Sequence, residues 1–334
     1  MLIPLSYNNY YMTAYLRLVR YKNLLIVAAT QYLMRFAIMQ PLLSVNGFEL
    51  QMGELQFFLL VMCTVLITAA GYVINDYFDT RTDMLNRPET VVVGRQIPRR
   101  VAIILHWILN FAALLLGFYL AFYVGVPLLG FVFVFVAGLL WIYSTTYNRQ
   151  FLTGNLIIAF LTSMVPVMVV LFEIPLLNRE YGEILRSYQT SFSFILAWVG
   201  SFGYFAFLTT LIRELIKDIE DFKGDVRQGR RSVPIVLGIR NTKIIIGGLI
   251  LVVLISLGFL YYVYLRVGFY GETDYLSLAW FVVLLLTPLA LLFYRVINGV
   301  KKKDYTFAHR LAKLIMLSGL LYSLLVRYIV LTGF

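Results

Sequence analysis

The sequence predicts an all-α polytopic membrane protein with about nine transmembrane helices, on three observations. First, 61% of its 334 residues are hydrophobic and only 13% are charged, far from the balance of a soluble domain. Second, apolar stretches near 20 residues recur along the whole chain, the length a helix needs to cross a bilayer. Third, the basic residues cluster on one side of the resulting topology. The spans fall near 24–43, 55–75, 101–122, 124–144, 152–172, 193–215, 244–265, 275–297 and 311–331.

The first span carries Gln31 and Arg35. Arg35 sits about three turns in, where charge is costly; it either snorkels to the outer interface or serves the protein's function. The second span runs into a polar stretch over 76–100. The third and fourth are divided at Gly125-Val126-Pro127, and the fifth opens on Gly154 and Asn155, which either line a cavity or pack helices. Residues 173–191 read as an external connecting loop, with a short amphipathic helix over 179–186. The sixth span leads into a second polar stretch, 217–243. The stretch 295–310, with Lys301-Lys302-Lys303, separates the last two.

The net charge is +11, and of the 28 lysines and arginines only Arg35, Arg179, Arg186, Arg266 and Arg327 lie off the side that bears the N-terminus. The positive-inside rule puts that side in the cytoplasm and the C-terminus outside, with the cell (inner) membrane as the expected location. Topology and anionic lipid account for the basic excess, so no nucleic-acid partner is expected. The first 15 residues lack the pattern of a cleaved signal. The lone Cys63 reads as a buried structural thiol, and the isolated His106 and His309 as structural.

Two acidic motifs have the same spacing: Asp76, Asp79 and Asp83 after Asn75, and Asp218, Asp221 and Asp225 after Lys217. Offsets of three and seven residues fall within an arc of roughly 60° on a helix, so each triplet is a stripe of carboxylates. Each follows an apolar helix and precedes a basic loop containing proline: Asn86-Arg87-Pro88 in one, Arg230-Arg231-Ser232-Val233-Pro234 in the other. The chain therefore reads as a single domain over 1–334 with a weak internal duplication near 55–100 and 193–240. Both motifs fall on one membrane side, unlike the inverted repeats of transporters.

Stripes of like charge call for a divalent cation, and Mg²⁺ suits a few carboxylates completed by phosphate oxygens. The expected metal ligands are Asp76, Asp79, Asp83, Asp218, Asp221 and Asp225. Arg81, Arg87, Arg95, Lys217, Lys223, Arg230 and Arg231 are placed to add charge-assisted contacts to a diphosphate. With a membrane interior rich in Phe and Tyr below, the fitting donor is a polyprenyl diphosphate. Metal takes up charge as diphosphate leaves. Aromatic faces such as Tyr72, Tyr77, Tyr143, Tyr147 and Tyr204 are candidates to stabilise the allylic cation.

Asn75-Asp76-x-x-Asp79-x-x-x-Asp83, together with Asp221-x-x-x-Asp225, resembles the intramembrane UbiA-type prenyltransferases, from residues 20–31 to the last helix. The resemblance implies nine helices around a central cavity and Mg²⁺-dependent transfer of a prenyl group from a polyprenyl diphosphate. It implies that Asp76, Asp79, Asp221 and Asp225 are the catalytic residues. It further implies that Asn75 and Asn23 join Arg87, Lys217, Arg230, Arg231 and Tyr143 in holding substrate. The run from Lys217 to Asp225 is similar to an ether-lipid branch, whose acceptor is geranylgeranylglyceryl phosphate, and to a branch with aromatic or chlorophyll-type acceptors. Arg213-Glu214 and Asn86-Arg87-Pro88 favour the lipid branch. The chain departs from the family at Thr90, where many members have a second arginine. It departs again at Tyr147, where many have the lysine of a Tyr-x-x-x-Lys pattern. An ion-coupled transporter is the alternative of another class, and an aromatic acceptor the alternative within this one. Membrane lipids are the remaining partner.

Overall fold

The computed structural model describes residues 5–86, 89, 91–266 and 273–333. Among the described residues there are twelve α-helices: α1 (Leu5–Leu18), α2 (Tyr21–Leu33), α3 (Gln40–Val45), α4 (Glu54–Asn86), α5 (Arg99–Tyr123), α6 (Gly130–Thr145), α7 (Thr153–Ser187), α8 (Ser193–Arg227), α9 (Val233–Leu260), α10 (Tyr275–Trp280), α11 (Thr287–Asn298) and α12 (Lys302–Thr332). Among the described residues there is no β-strand, and β structure is limited to isolated bridges such as that between Val93 and Ile97, so the chain is all-α. In a bilayer the backbone must satisfy its own hydrogen bonds, which helices do within one segment.

Among the described residues eight helical stretches are long and apolar enough to cross a membrane: Glu54–Thr80, Arg99–Tyr123, Pro127–Thr145, Thr153–Ser187, Ser193–Arg227, Val233–Leu265, Tyr275–Asn298 and Lys302–Thr332. Their outward residues include Phe111, Phe122 and Ile255, exposed apolar side chains that suit acyl chains rather than water. The protein is an integral membrane protein. The first predicted span, 24–43, is helical as well, but α2 passes into a π-helical segment, Met34–Met39, before α3. Arg35 lies in that segment and is 1% exposed.

The breaks follow from local chemistry. Gly125, at φ +80°, makes the turn expected between the third and fourth spans. Asp274 caps α10 by accepting from the Ser277 amide at 2.8 Å. At the head of α12, Asp304 accepts from the backbone amides of Val300 and Lys301 at 3.0 and 2.9 Å. α12 therefore begins at Lys302, nine residues before the predicted span at 311. The external loop expected over 173–191 is a correction. Residues up to Ser187 continue α7, because the buried face of Val169, Phe172 and Leu176, at offsets of three and seven, runs into the stretch.

By internal packing the chain forms two compact units. One takes residues up to Gln31, Gln51–Asn148 and Leu171–Gly182; the other takes Tyr32–Leu50, Arg149–Val170 and residues from Glu183 on. In the first, α4 packs on α5 and α6. Gly117 of α5 lets the Phe133 ring of α6 come so close that an added Cβ would lie 2.3 Å from it. Cys63 is buried, with Sγ 3.0 Å from the Ala113 carbonyl oxygen. His106 is buried too, its Nδ1 2.9 Å from the Ala70 carbonyl oxygen. In the second unit, α8 packs on α9 and α12, and α11 on both of these.

Candidate active site

The first acidic motif occupies the last turns of α4, in the first unit. Asp76 and Asp79 stand one turn apart, and each is met by hydrogen-bond donors. Asp76 Oδ1 is 2.8 Å from Nη2 of Arg20. Arg20 lies in the break between α1 and α2 at φ +53°, the left-handed region that a long side chain seldom occupies. Its guanidinium also stacks over the Tyr72 ring, 4.8 Å from the centroid, and the Tyr72 hydroxyl accepts from Asn23 Nδ2 at 3.3 Å. Burial works against the charge on Arg20, but Asp76, aided by Tyr72 and Tyr143, outweighs it, and the guanidinium pKa stands above its ordinary value. Asn23 and Tyr143 are thus drawn to one place by Arg20 and Tyr72.

Asp79 is 6% exposed, and its Oδ2 accepts from Asn148 Nδ2 at 2.7 Å and Asn75 Nδ2 at 3.3 Å. Asn148 sits in the 3-10 turn Tyr147–Arg149 after α6. Tyr77, between the two acids, carries the Arg99 guanidinium over its ring at 4.3 Å. Asp83 ends the stripe on α4, with its side chain outside the described residues, and Arg87 lies outside them altogether.

The second motif lies on the last turns of α8, in the second unit. Asp218 Oδ2 accepts from Asn155 Nδ2 of α7 at 2.8 Å, so Asn155 positions a carboxylate. Asp225 is 5% exposed, with Oδ1 3.9 Å from Nη1 of Arg230. Arg231 is exposed, and its backbone amide bonds to the Arg149 carbonyl oxygen at 3.0 Å. Asp221 is half-buried beside Asp225. The stripe has a fourth member that the triplet spacing missed. Glu214 falls four residues before Asp218 on the same face, bonded to Arg213 and with Oε2 3.9 Å from Lys217 Nζ.

Ionised carboxylates held one turn apart are the hard oxygen donors that Mg²⁺ takes. The acids of each motif fit that ion in kind. Among the described residues no three His, Cys, Asp or Glu side chains gather tightly enough to hold a metal. Asp76 and Asp79 alone would leave a coordination shell incomplete, and phosphate oxygens and water are the natural remainder.

Sequence reasoning counted Arg20 only as interior charge and passed over Asn148. The signals available were weak: an arginine three residues before Asn23, and an asparagine directly after Tyr147.

A solved structure of digeranylgeranylglyceryl phosphate synthase in membranes aligns with 95% of this chain and 98% of its own, at TM-score 0.61 and 22% identity. An apo UbiA homologue from Aeropyrum pernix K1 aligns with 86% of this chain and 96% of its own, at TM-score 0.55 and 16% identity. At these identities the likeness is one of fold. In sequence, the digeranylgeranylglyceryl phosphate synthase of Methanothermobacter thermautotrophicus is 34% identical over 202 residues, 60% of this chain. The chain spans 63% of that relative's length. The synthase of Methanosarcina mazei is 32% identical over 245 residues, 72% of this chain and 77% of that one. The profile of the UbiA prenyltransferase family matches residues 24–320, which takes in both acidic motifs and the asparagines that hold them: the chain belongs to the UbiA prenyltransferase family.

Proposed function

We propose that this protein is an intramembrane prenyltransferase that moves a prenyl group from a polyprenyl diphosphate to geranylgeranylglyceryl phosphate, with Mg²⁺, and makes a diether phosphate lipid. The observation that carries the reading is Asp76 and Asp79, one turn apart, each oriented by its own polar partner, Arg20 and Asn148. Support comes from the synthases that share about a third of their aligned residues with this chain. A homologue of the same fold from Archaeoglobus fulgidus, at TM-score 0.54 and 12% identity, has been solved with GPP and Mg²⁺.

Mg²⁺, when bound, neutralises the diphosphate and lowers the cost of its departure. Asp76, Asp79 and Asp83 of the first motif would hold metal, as would Asp218, Asp221 and Asp225 of the second, and metal so held would take up diphosphate oxygens. Asn75 and Asn23 with Arg20, and Arg87, Lys217, Arg230 and Arg231, add N–H contacts to phosphate oxygens. Tyr72 and Tyr143 offer aromatic faces to the allylic carbon as its bond to the diphosphate oxygen breaks, worth on the order of 0.5–2 kcal/mol each. The acceptor hydroxyl oxygen then bonds to that carbon and its proton is released. The crowding of basic residues near both motifs supports a cytoplasmic site in the cell membrane, an inside N-terminus and an outside C-terminus.

The test is product analysis on purified protein with labelled geranylgeranyl diphosphate. Geranylgeranylglyceryl phosphate and 4-hydroxybenzoate are offered in parallel, with Mg²⁺ or with EDTA. A labelled diether phosphate lipid, absent in EDTA, is the expected result. A labelled hydroxybenzoate moves the enzyme to aromatic acceptors. No product from either overturns the reading.

A further inference from the structure

Where α8 packs on α12, a second constellation of charge adjoins Asp218 and extends toward the apolar part of α8. On α8, Arg213, Lys217 and Glu220 recur at four and three residues and share one face. On α12, Thr306, His309 and Lys313 do the same at three and four. The two stripes meet: Thr306 Oγ1 donates to Glu220 Oε1 at 2.8 Å. Arg213 donates to Glu214, and Lys217 Nζ lies 3.9 Å from it. His309 and Lys313 of α12 act electrostatically on Glu214 as well, and Arg213 and Lys217 act on Lys313.

This cluster carries more N–H donors than its carboxylates engage. Arg213, Lys217 and Lys313 face the carboxylates of Glu214 and Glu220, with His309 among them and Asp218 one turn on. Two buried nitrogens, Arg213 Nε and His309 Nδ1, have no hydrogen-bond partner among the described residues. Lys217 and Lys313 are exposed, so the cluster is open to an incoming group. It is also deep. Arg213 precedes Asp218 by five residues, about 8 Å along the helix toward the apolar part of α8. Charge at such depth marks a functional pathway more often than a packing device. A ligand that reaches it must bring its own apolar tail. A carboxylate would duplicate Glu214; a phosphate monoester, with three oxygens and up to two charges, matches the surplus of N–H donors.

We infer that Arg213, His309 and Lys313, beside Lys217, form a subsite for the phosphate monoester of a glycerolipid, which selects a phosphorylated acceptor over a neutral one. The inference rests on the proposed transfer to geranylgeranylglyceryl phosphate and assigns the acceptor end of that reaction. These residues position the acceptor.

The test uses the full chain in detergent, as wild type and as Lys313→Met, His309→Gln and Lys313→Arg. With geranylgeranyl diphosphate saturating, Lys313→Met raises the KM for geranylgeranylglyceryl phosphate at least tenfold. The KM for the diphosphate donor stays within twofold, and Lys313→Arg restores the acceptor KM. A purely structural salt-bridge stripe would move both KM values, or neither KM and no phosphatidic acid response, and either result overturns the subsite. A second arm needs no turnover. Dioleoyl phosphatidic acid, a phosphate monoester, raises the melting temperature of the wild type above that in dioleoyl phosphatidylglycerol, and Lys313→Met loses the increment. Loss of that increment with an unchanged acceptor KM keeps the phosphate subsite and assigns it to bilayer lipid. If the wild type makes no ether product, the functional reading fails and the phosphatidic acid arm alone decides the subsite. Absence of that increment in the wild type then overturns it.

Discussion

Asn148, in the turn that follows α6, donates its side-chain amide to Oδ2 of Asp79 at 2.7 Å. The bond joins an aspartate of the first acidic motif to a turn 69 residues further along the chain. Asp79 is nearly buried, so its rotamer is set by its partners rather than by water.

Replacement of Asn148 by alanine removes the stronger of the two amides on Asp79. A hydrogen bond to a charged group is worth about 1.5–3 kcal/mol. Part of that is recovered by Asn75, which lies at 3.3 Å. Asn148→Ala is expected to lower kcat/KM for the prenyl donor roughly 10-fold. Asn148→Asp should be worse, because it sets a second carboxylate against Asp79. Steady-state kinetics with the donor varied checks both, and an Asn148→Asp enzyme as active as wild type would remove Asn148 from the site.

Arg20 separates stability from activity. Its backbone sits in the left-handed region at φ +53°, which costs a non-glycine residue about 1–3 kcal/mol. Its ion pair with Asp76 is partly open to solvent, the arginine side chain being 43% exposed, and exposed pairs contribute about 0–1 kcal/mol. Arg20→Gly should therefore hold or raise the melting temperature while activity falls. Arg20→Ala keeps the strain, loses the pair, and should be lower in both. Thermal unfolding and turnover measured on the same preparations decide it; a large drop in melting temperature for Arg20→Gly contradicts the account.

Much of the fold and half of each motif's setting were legible in the sequence, for a physical reason. Hydropathy over 20 residues is a property of the segment itself, so α4 to α12 could be placed from composition, including the break at Gly125. The aspartate triplets were legible because helical spacing alone puts them on one face. What failed was whatever depends on a residue from elsewhere in the chain. The polar stretch 173–187 looked like a loop because Glu173, Arg179, Glu180, Glu183 and Arg186 outweigh the buried face of Val169, Phe172 and Leu176 that runs into it. Asn148 carries no periodic signal, since its role is fixed by a contact with α4. Arg213-Glu214 reads in the sequence as a sign of the lipid branch, and the contact of Glu214 with the charges of α12 depends on packing that no local pattern carries.

Glu173 gives the stability counterpart. It is 1% exposed, and its Oε1 accepts from the backbone amides of Gln51 and, at 3.0 Å, Met52. The segment before α4 is thereby fastened to α7, and Gln51 Nε2 adds a bond to the Tyr181 hydroxyl at 3.1 Å. Glu173→Ala leaves two backbone amides without their acceptor, at about 1–3 kcal/mol each. The melting temperature should fall by several degrees. Glu173→Gln keeps one acceptor oxygen and should recover part of the loss. Thermal unfolding of the three proteins in one detergent is the measurement, and an unchanged midpoint for Glu173→Ala would show that the fastening carries no weight.

The acids of the two motifs should respond to metal removal as one class and to substitution as individuals. If Asp76, Asp79 and Asp221 are metal ligands, EDTA abolishes turnover in the wild type, and excess Mg²⁺ restores it. Each of Asp76→Ala, Asp79→Ala and Asp221→Ala removes a ligand that added Mg²⁺ cannot replace, so activity is lost at every metal concentration. Membrane insertion stays intact, because the apolar spans that drive it are untouched. Asn155→Ala tests the same logic one step out. It removes the 2.8 Å bond to Asp218 but no carboxylate, so it should raise the Mg²⁺ concentration needed for half-maximal rate, about 10-fold or more, and leave the plateau nearer to wild type. The contrast is the informative part. A ligand variant lowers the plateau, whereas a positioning variant shifts the midpoint. Metal titrations of the four variants separate the two, and full activity in any of the three aspartate variants would take that residue out of the metal site.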